Sequence, residues 1–178
     1  MSVLGELQPN KVFKYFEEIC SIPHGSRNLQ QISDYLVDFA KAHELKYRQD
    51  EDLNVIIWKD GSKGYEASEP VILQGHMDMV AVKEADCDKD MEKDGLDLEI
   101  NGDYISAKGT SLGGDDGIAV AYTLAVLDDE EMAHPPIEAI FTVNEEIGML
   151  GAATIDVSDL KGRLFMNMDS EDEGVFTV

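Results

Sequence analysis

The stretch that decides the fold is Ile137-Glu138-Ala139-Ile140-Phe141-Thr142-Val143, followed directly by Asn144-Glu145-Glu146-Ile147-Gly148. Its first part is apolar, rich in β-branched and aromatic residues, and preceded by two prolines, so it predicts a buried strand. Two adjacent carboxylates at the end of that strand need water or a cation, because each raises the pKa of the other. In open α/β sheets ligands bind at the carboxyl ends of strands, so this turn predicts a binding site.

Three further segments place histidine or acidic residues directly after an apolar strand or a glycine-rich turn. They are His76 and Asp78 after a strand at 70–74, Asp115 with Asp116 in the loop 109–117, and Asp169 after a buried strand at 164–168. Exposed loop acids alone would not explain why each group adjoins a hydrophobic run. We therefore expect these side chains to converge.

An imidazole together with carboxylates is a donor set that suits zinc or manganese. If His76, Asp115, Glu146 and Asp169 are the ligands, the carboxylates contribute −3, and two dications leave +1, which a hydroxide neutralises. One dication would leave −1, which disfavours hydroxide. The sequence therefore predicts two divalent metal ions, zinc first and manganese or cobalt as alternatives, that share a nucleophilic water.

The neighbours of these ligands have predicted roles of their own. Asp78, two residues after His76, is expected to lie behind that ring and hold its orientation, as partners of metal-bound histidines do. Glu145 cannot easily ligate the same ion through the same face as Glu146. We therefore predict that Glu145 takes a proton from the water and returns it to the leaving amine.

The other segments predict an α/β protein with a largely parallel sheet flanked by helices, because strands and helices alternate. Helices are expected at 9–19, from about 28 to 43, at 118–127 and at 148–153. Further strands are expected at 46–49 and 54–58, with a hairpin at 98–107. The charged segment 83–97 predicts a solvated excursion.

The composition excludes several classes of partner. The 178 residues carry 37 acidic and 14 basic side chains, a formal net charge of −23, which argues against nucleic acid and anionic membrane surfaces. Cys20 and Cys87 are expected to be plain thiols, since two cysteines make no disulfide framework. The start of the chain has no signal-like segment and no apolar run could span a membrane, so a cytoplasmic location is expected.

The segments 75–80, 112–117, 144–149 and 167–172 resemble motifs of the di-zinc exopeptidase clan of aminoacylases and carboxypeptidase-G-like enzymes. Within that clan, 19–26 and 134–136 are also similar to the aminoacyl-histidine dipeptidases (peptidase D, Xaa-His dipeptidase). The resemblance runs over essentially all of the chain. It implies a three-layer zinc-exopeptidase fold and a homodimer in the full-length protein.

The resemblance also implies a role for each matching residue. His76 and Asp169 would bind one zinc ion, Glu146 would bind the other, and Asp115 would bridge them, with a cis peptide bond between Asp115 and Asp116. The implied reaction is hydrolysis of dipeptides with a free amino end, including β-alanyl-histidine. In that reaction Asp78 would support the His76 ring and Glu145 would act as the general acid/base, as predicted above.

The chain departs from the family pattern in two respects. The loop usually reads Gly-Ala-Asp-Asn but here reads Gly113-Gly114-Asp115-Asp116, which bears on the substrate more than on the metal. The family is more than twice as long, with an inserted lid domain and a second metal-binding histidine that would lie beyond Val178; His134 is expected at the wrong end of its strand to replace it. We therefore expect residues 1–178 to be the N-terminal part of the catalytic domain, without the lid and inactive alone.

Two other functions are compatible with the same residues. One is a related hydrolase, either a tripeptide aminopeptidase or an N-acyl amino-acid deacylase. The other is a non-enzymatic domain that binds metal or peptide. A panel of dipeptides, tripeptides and acyl amino acids, together with metal analysis, would separate the three.

Overall fold

The computed structural model of the chain describes residues 2–170, 174, 175 and 177. Its elements, in chain order, are α1 (Asn10–Cys20), α2 (Gln30–Ala42), β1 (Lys46–Gln49), β2 (Val55–Lys59), β3 (Val71–His76), β4 (Leu98–Asn101), β5 (Tyr104–Ala107), α3 (Gly114–Leu127), β6 (Ile137–Thr142), α4 (Leu150–Thr154) and β7 (Leu164–Asn167). The predicted helices and strands are confirmed, with ends that differ by a few residues. None of the helices in the described part of the chain has the length and apolar character that a membrane span requires.

Five strands form one mixed sheet in the order β1-β2-β6-β3-β7. The three strands β6, β3 and β7 are parallel, and β2 is antiparallel to both of its neighbours. The predicted α/β class with a mostly parallel sheet is therefore confirmed. In the register of β3 and β6, His76 lies opposite Thr142. The residues that follow these two parallel strands therefore leave the sheet at the same end, the carboxyl end of both strands.

One face of the sheet is covered by the first three helices and holds the main core. Helix α3 packs against α1 and β3, and α2 packs against β1 and β2. Close packing of α3 on β3 depends on Gly75, where an added Cβ would lie 3.1 Å from the Cβ of Ala119. This packing brings the start of α3, with its acidic residues, beside the end of β3.

The opposite face of the sheet holds a smaller cluster. Its buried members are Ile56, Ile72 and Ile140, and they are covered by Trp58 and by side chains of the segment 155–160. Strand β7, which we predicted to be buried, is not: Leu164 and Phe165 are 59% and 54% exposed. That prediction is wrong for this chain because β7 lies at the sheet edge and pairs only with β3 among the described strands.

Candidate metal centre

The ring of His76 lies at the end of β3 and is 1% exposed. Its Nδ1 is 2.9 Å from the backbone carbonyl oxygen of Asp78, which can only accept, so Nδ1 carries the proton and donates. The lone pair of Nε2 then faces Oδ1 of Asp115 at 3.0 Å. Two acceptors at this distance require a proton or a cation between them, so the donor set fits a metal ion.

Asp115 reaches this position through the glycine-rich loop. Gly113 has a left-handed backbone (φ 68°) and precedes the first turn of α3, where Asp115 and Asp116 depart from helical geometry. The peptide bond between the two aspartates is cis, as the resemblance implied. The loop thereby directs the Asp115 carboxylate toward the end of β3.

The backbone of the paired glutamates Glu145 and Glu146 is held by the Asp78 carboxylate. Asn144, the residue after the strand segment, has a left-handed backbone (φ 54°). The amides of Glu145 and Glu146 donate to the two oxygens of the Asp78 carboxylate at 2.9 and 3.4 Å. In this arrangement Oε2 of Glu145 lies 3.8 Å from Nε2 of His76.

The structure brings three of the four predicted ligands into one group. Potential ligand atoms of His76, Asp115 and Glu146 all lie within 4.8 Å of one another. Asp169 does not belong to this group, but with Asp115 it lines an adjoining cleft. The resemblance paired His76 with Asp169 on one ion, whereas the structure places Glu146 nearer to the ring.

The cleft beside Asp169 has a volume of about 290 Å³. Its lining includes Gly114, Asp115, Asp116, Asp169 and Ser170. The predicted motif at the end of β7 continues into residues 171 and 172, which lie outside the described residues. The ligand role of Asp169 therefore stays a prediction, supported by its place at the rim of the centre.

The electrostatics of the group show a surplus of negative charge around one ring. Burial lowers the pKa of His76, but the surrounding carboxylates, Asp78 foremost, raise it to about 9. Burial raises the pKa of Asp116 to about 8, although the nearby His76 ring lowers it. Burial and then the charge of Asp115 raise the pKa of Glu146. A divalent cation would relieve this repulsion, which again fits a metal ion.

Asp78 lies behind the ring and holds it through its backbone more closely than through its carboxylate. The backbone oxygen of Asp78 makes the close contact with Nδ1, whereas its carboxylate oxygen Oδ1 is 3.6 Å away. Burial raises the pKa of this carboxyl, but His76 and the hydrogen bonds from Glu145 and Ser26 bring the pKa below its usual range. The carboxylate thus stays ionised and organises the backbone around it.

Sequence reasoning assigned no individual role to three residues whose hydrogen bonds support the centre. Ser26 donates its hydroxyl to Asp78 at 2.8 Å, Asn144 accepts from the amide of Arg27 at 2.8 Å, and buried Asp116 accepts from the amide of His76 at 3.2 Å. Asn144 and Asp116 each adjoin a predicted site residue in the sequence, which pointed to their part of the chain. For Ser26 the only signal was its place in the resembling segment 19–26.

The remaining histidines lie away from the group. His134 precedes β6, at the opposite end of that strand from Glu145, as predicted. His43 caps α2 and stacks on Phe39 at 4.3 Å between ring centroids. His24 is buried, with Nδ1 2.6 Å from the carbonyl oxygen of Ile22. Within the described residues, His76 alone contributes a ring nitrogen to the candidate metal group.

No protein-family model matches the chain. The chain is 41% identical over 174 residues to the cytosol non-specific dipeptidase of Escherichia coli, an alignment that covers 98% of this chain and 36% of that protein. It is also 41% identical to the crystal structure of an aminoacylhistidine dipeptidase from Vibrio alginolyticus, with a TM-score of 0.93 over 96% of this chain and 35% of the other.

A more distant solved structure shares the fold. The aminopeptidase PepT of Bacillus cereus superposes with a TM-score of 0.77 at 21% identity, covering 93% of this chain and 44% of that one. The chain therefore spans about a third of the length of the dipeptidases that it matches at 41% identity. The similarity extends across the residues that form the candidate metal centre.

Proposed function

We propose, from the confirmed resemblance of this chain to the aminoacyl-histidine dipeptidases, that it is the N-terminal, metal-binding part of a metallodipeptidase. The observation that carries the proposal is the group formed by His76, Asp115 and Glu146, with Glu145 beside it. A donor set of this kind at the carboxyl ends of parallel strands suits metal-dependent peptide hydrolysis.

For the longer protein that contains this chain, the metal content that we propose is two divalent ions, zinc first and manganese or cobalt as alternatives. His76, Asp115 and Glu146 are the residues that would hold metal in the described group, and Asp169 would complete the set from the cleft rim. Bound metal would supply a more acidic water and a polarised scissile carbonyl. The three proposed carboxylates against two dications leave the small positive charge that favours this chemistry.

Glu145 is the proton carrier in this proposal. Its carboxylate is half-buried and lies 3.8 Å from Nε2 of His76, outside the group of potential ligand atoms. Its backbone amide donates to the Asp78 carboxylate at 2.9 Å, which fixes the residue in place. From this position it can accept a proton from water and deliver it to the leaving amine. Asp78 contributes by holding His76 and the glutamate backbone in place.

The proposed substrates are dipeptides of the Xaa-His type, including β-alanyl-histidine. The names of the two relatives at 41% identity, a non-specific dipeptidase and an aminoacylhistidine dipeptidase, support this class. The word "cytosol" in the first name supports a cytoplasmic location. Since the chain spans about a third of each relative, we propose that it is inactive alone and that a longer, homodimeric protein carries the activity.

The proposal is tested by Glu145→Gln in the enzyme that contains this chain. We expect kcat for dipeptides to fall at least about a hundredfold while bound metal is unchanged, because the substitution removes a proton carrier and no ligand. Turnover is measured with dipeptides, tripeptides and acyl amino acids, and metal by mass spectrometry. His76→Ala is the contrasting variant and should lose metal as well as activity.

Normal dipeptide turnover by Glu145→Gln would remove Glu145 from its role. Preferred hydrolysis of tripeptides or acyl amino acids would instead assign the chain to another substrate class of the same clan. Metal binding without any hydrolysis in the longer protein would favour a non-enzymatic binding domain.

A further inference from the structure

We propose that Ser26 is a positioning residue of the metal centre, and that its hydroxyl acts through the Asp78 carboxylate to fix the paired glutamates. The proposal rests on the metal-dependent function proposed above. Ser26 lies in the loop between α1 and α2, far in sequence from every predicted ligand. Nothing in its residue type alone points to this role.

The backbone holds Ser26 in place beside the strand end. The amide of Met79 donates to the carbonyl oxygen of His24 at 3.2 Å, and the amide of Ser26 donates to the carbonyl oxygen of Met79 at 3.2 Å. Gly25 forms a parallel bridge with Met79, and an added Cβ at Gly25 would lie 2.6 Å from the Cβ of Ala81. The segment therefore packs too closely to move independently of residues 77–79.

From this fixed position Ser26 donates its hydroxyl to Oδ2 of Asp78 at 2.8 Å. The Asp78 side chain is buried, and its two oxygens also accept from the amides of Glu145 and Glu146. One carboxylate thus joins the loop after α1 to the turn after β6. Donors from both sides define where its oxygens lie, and those oxygens define where the two glutamate amides lie.

A second hydrogen bond links the same loop to the same turn. The amide of Arg27, the residue after Ser26, donates to Oδ1 of Asn144 at 2.8 Å. Asn144 has the left-handed backbone that starts the turn toward Glu145 and Glu146. The turn is therefore held at its first residue by Arg27 and at the next two through Asp78.

Loss of the Ser26 hydroxyl would leave the Asp78 carboxylate held from one side only. The carboxylate could then rotate, and the amides of Glu145 and Glu146 would be less tightly bound. Because Glu146 belongs to the ligand group and Glu145 lies beside His76, the geometry of the centre would loosen. Residues that orient metal ligands in this way affect metal affinity without touching the ion.

The test compares Ser26→Ala with the unaltered chain in two measurements. Hydrogen exchange without metal reports on the amides of Glu145 and Glu146, which we expect to exchange about three- to tenfold faster in the variant, the scale of one lost hydrogen bond. Zinc affinity, measured by competition with a chromophoric chelator, should weaken about tenfold.

Two further variants separate positioning from general stability. Ser26→Thr keeps the hydroxyl and should restore both exchange protection and zinc affinity. Ser33→Ala removes another serine hydroxyl, which donates to the carbonyl oxygen of Leu53 at 2.7 Å in a fully buried place away from the centre. We expect Ser33→Ala to lower stability while leaving zinc affinity unchanged.

The outcomes distinguish this inference from the proposed function. If the unaltered chain binds zinc and Ser26→Ala binds it equally well, the positioning role is overturned while the metal centre stands. If Ser33→Ala weakens zinc binding as much as Ser26→Ala, the effect is one of general stability and the positioning role is again overturned. If the unaltered chain binds no zinc, both the metal centre and the positioning role are overturned.

Discussion

At Gly113 the chain takes a left-handed turn (φ 68°) that introduces α3 and carries Asp115 toward the end of β3. A Cβ at this position would lie 2.8 Å from Sδ of Met79 and 3.3 Å from Nε2 of His24, and both of those side chains are buried. Only glycine satisfies the backbone angle and the close contact together. The position of one ligand therefore depends on the absence of a side chain two residues earlier.

We predict that Gly113→Ala destabilises the chain by about 2–5 kcal/mol, because a left-handed alanine costs about 1–2 kcal/mol and overpacking adds about 1–3 kcal/mol. The control is Gly102→Ala, where the backbone is also left-handed (φ 62°) and an added Cβ meets open space. Urea unfolding of both variants measures the difference. Equal losses of stability would show that the contact with Met79 has no energetic effect.

At the scale of elements, Glu17 on α1 anchors the start of the chain. Its carboxylate accepts from the hydroxyl of Ser2 at 2.6 Å and from the amides of Val3 and Leu4 at 2.6 and 3.2 Å. Burial raises the pKa of Glu17, but these hydrogen bonds lower it by more than burial raises it. The pKa of Glu17 is therefore below its usual value. The buried side chain of Leu4 is thereby held against the core.

This lowered pKa gives a pH-dependent prediction. A depressed carboxyl pKa contributes stability that is present above the unfolded-state value, ordinarily 4.5 for glutamate, and is lost as the pH falls through the folded-state value. We expect Glu17→Gln to be less stable than the unaltered chain at neutral pH and the difference to shrink below about pH 4. Urea unfolding across pH measures it, with Glu130→Gln at an exposed position as the control. A difference that stays constant down to low pH would contradict the anchoring role.

The sequence predicted the burial of strand β6 but not the hydrogen-bond partners of its charged residue. Its apolar pattern predicted burial, and all of its residues are buried, including the charged Glu138. The structure supplies what the pattern did not: the Glu138 carboxylate accepts from the amides of Lys161 at 3.0 Å and Gly162 at 2.9 Å. Buried carboxylates need such donors, and these come from a segment more than twenty residues away in the chain.

At the scale of the whole molecule, a chain with net charge −23 concentrates acidic side chains around His76. Within the described residues a single imidazole serves the group. We therefore predict at most one tightly bound zinc ion per chain, because the second proposed ion would lack a histidine ligand. Equilibrium dialysis with mass spectrometry measures the ratio, and two tightly bound ions per chain would contradict it.

Two variants check that this zinc is bound at the proposed centre. His76→Ala should abolish tight binding and, with it, the thermal stabilisation that zinc gives, which amounts to about 2.7 kcal/mol at a zinc concentration a hundred times the Kd. His43→Ala, at the end of α2 and outside the group, should keep both. Equal binding by the two variants would place the zinc elsewhere.

The sequence by itself determined the element order, the α/β class and which acidic residues and histidine follow apolar strands, because periodicity and strand ends are local properties. Only the tertiary structure decided that Glu146 lies nearer to His76 than the resemblance implied, that Asp169 lies at the rim, and that β7 stays exposed. These outcomes depend on strand order and on contacts between distant segments. The hydrogen bond from Ser26 to Asp78 joins residues 52 positions apart. Sequence patterns describe local structure and do not indicate which residues so far apart come into contact.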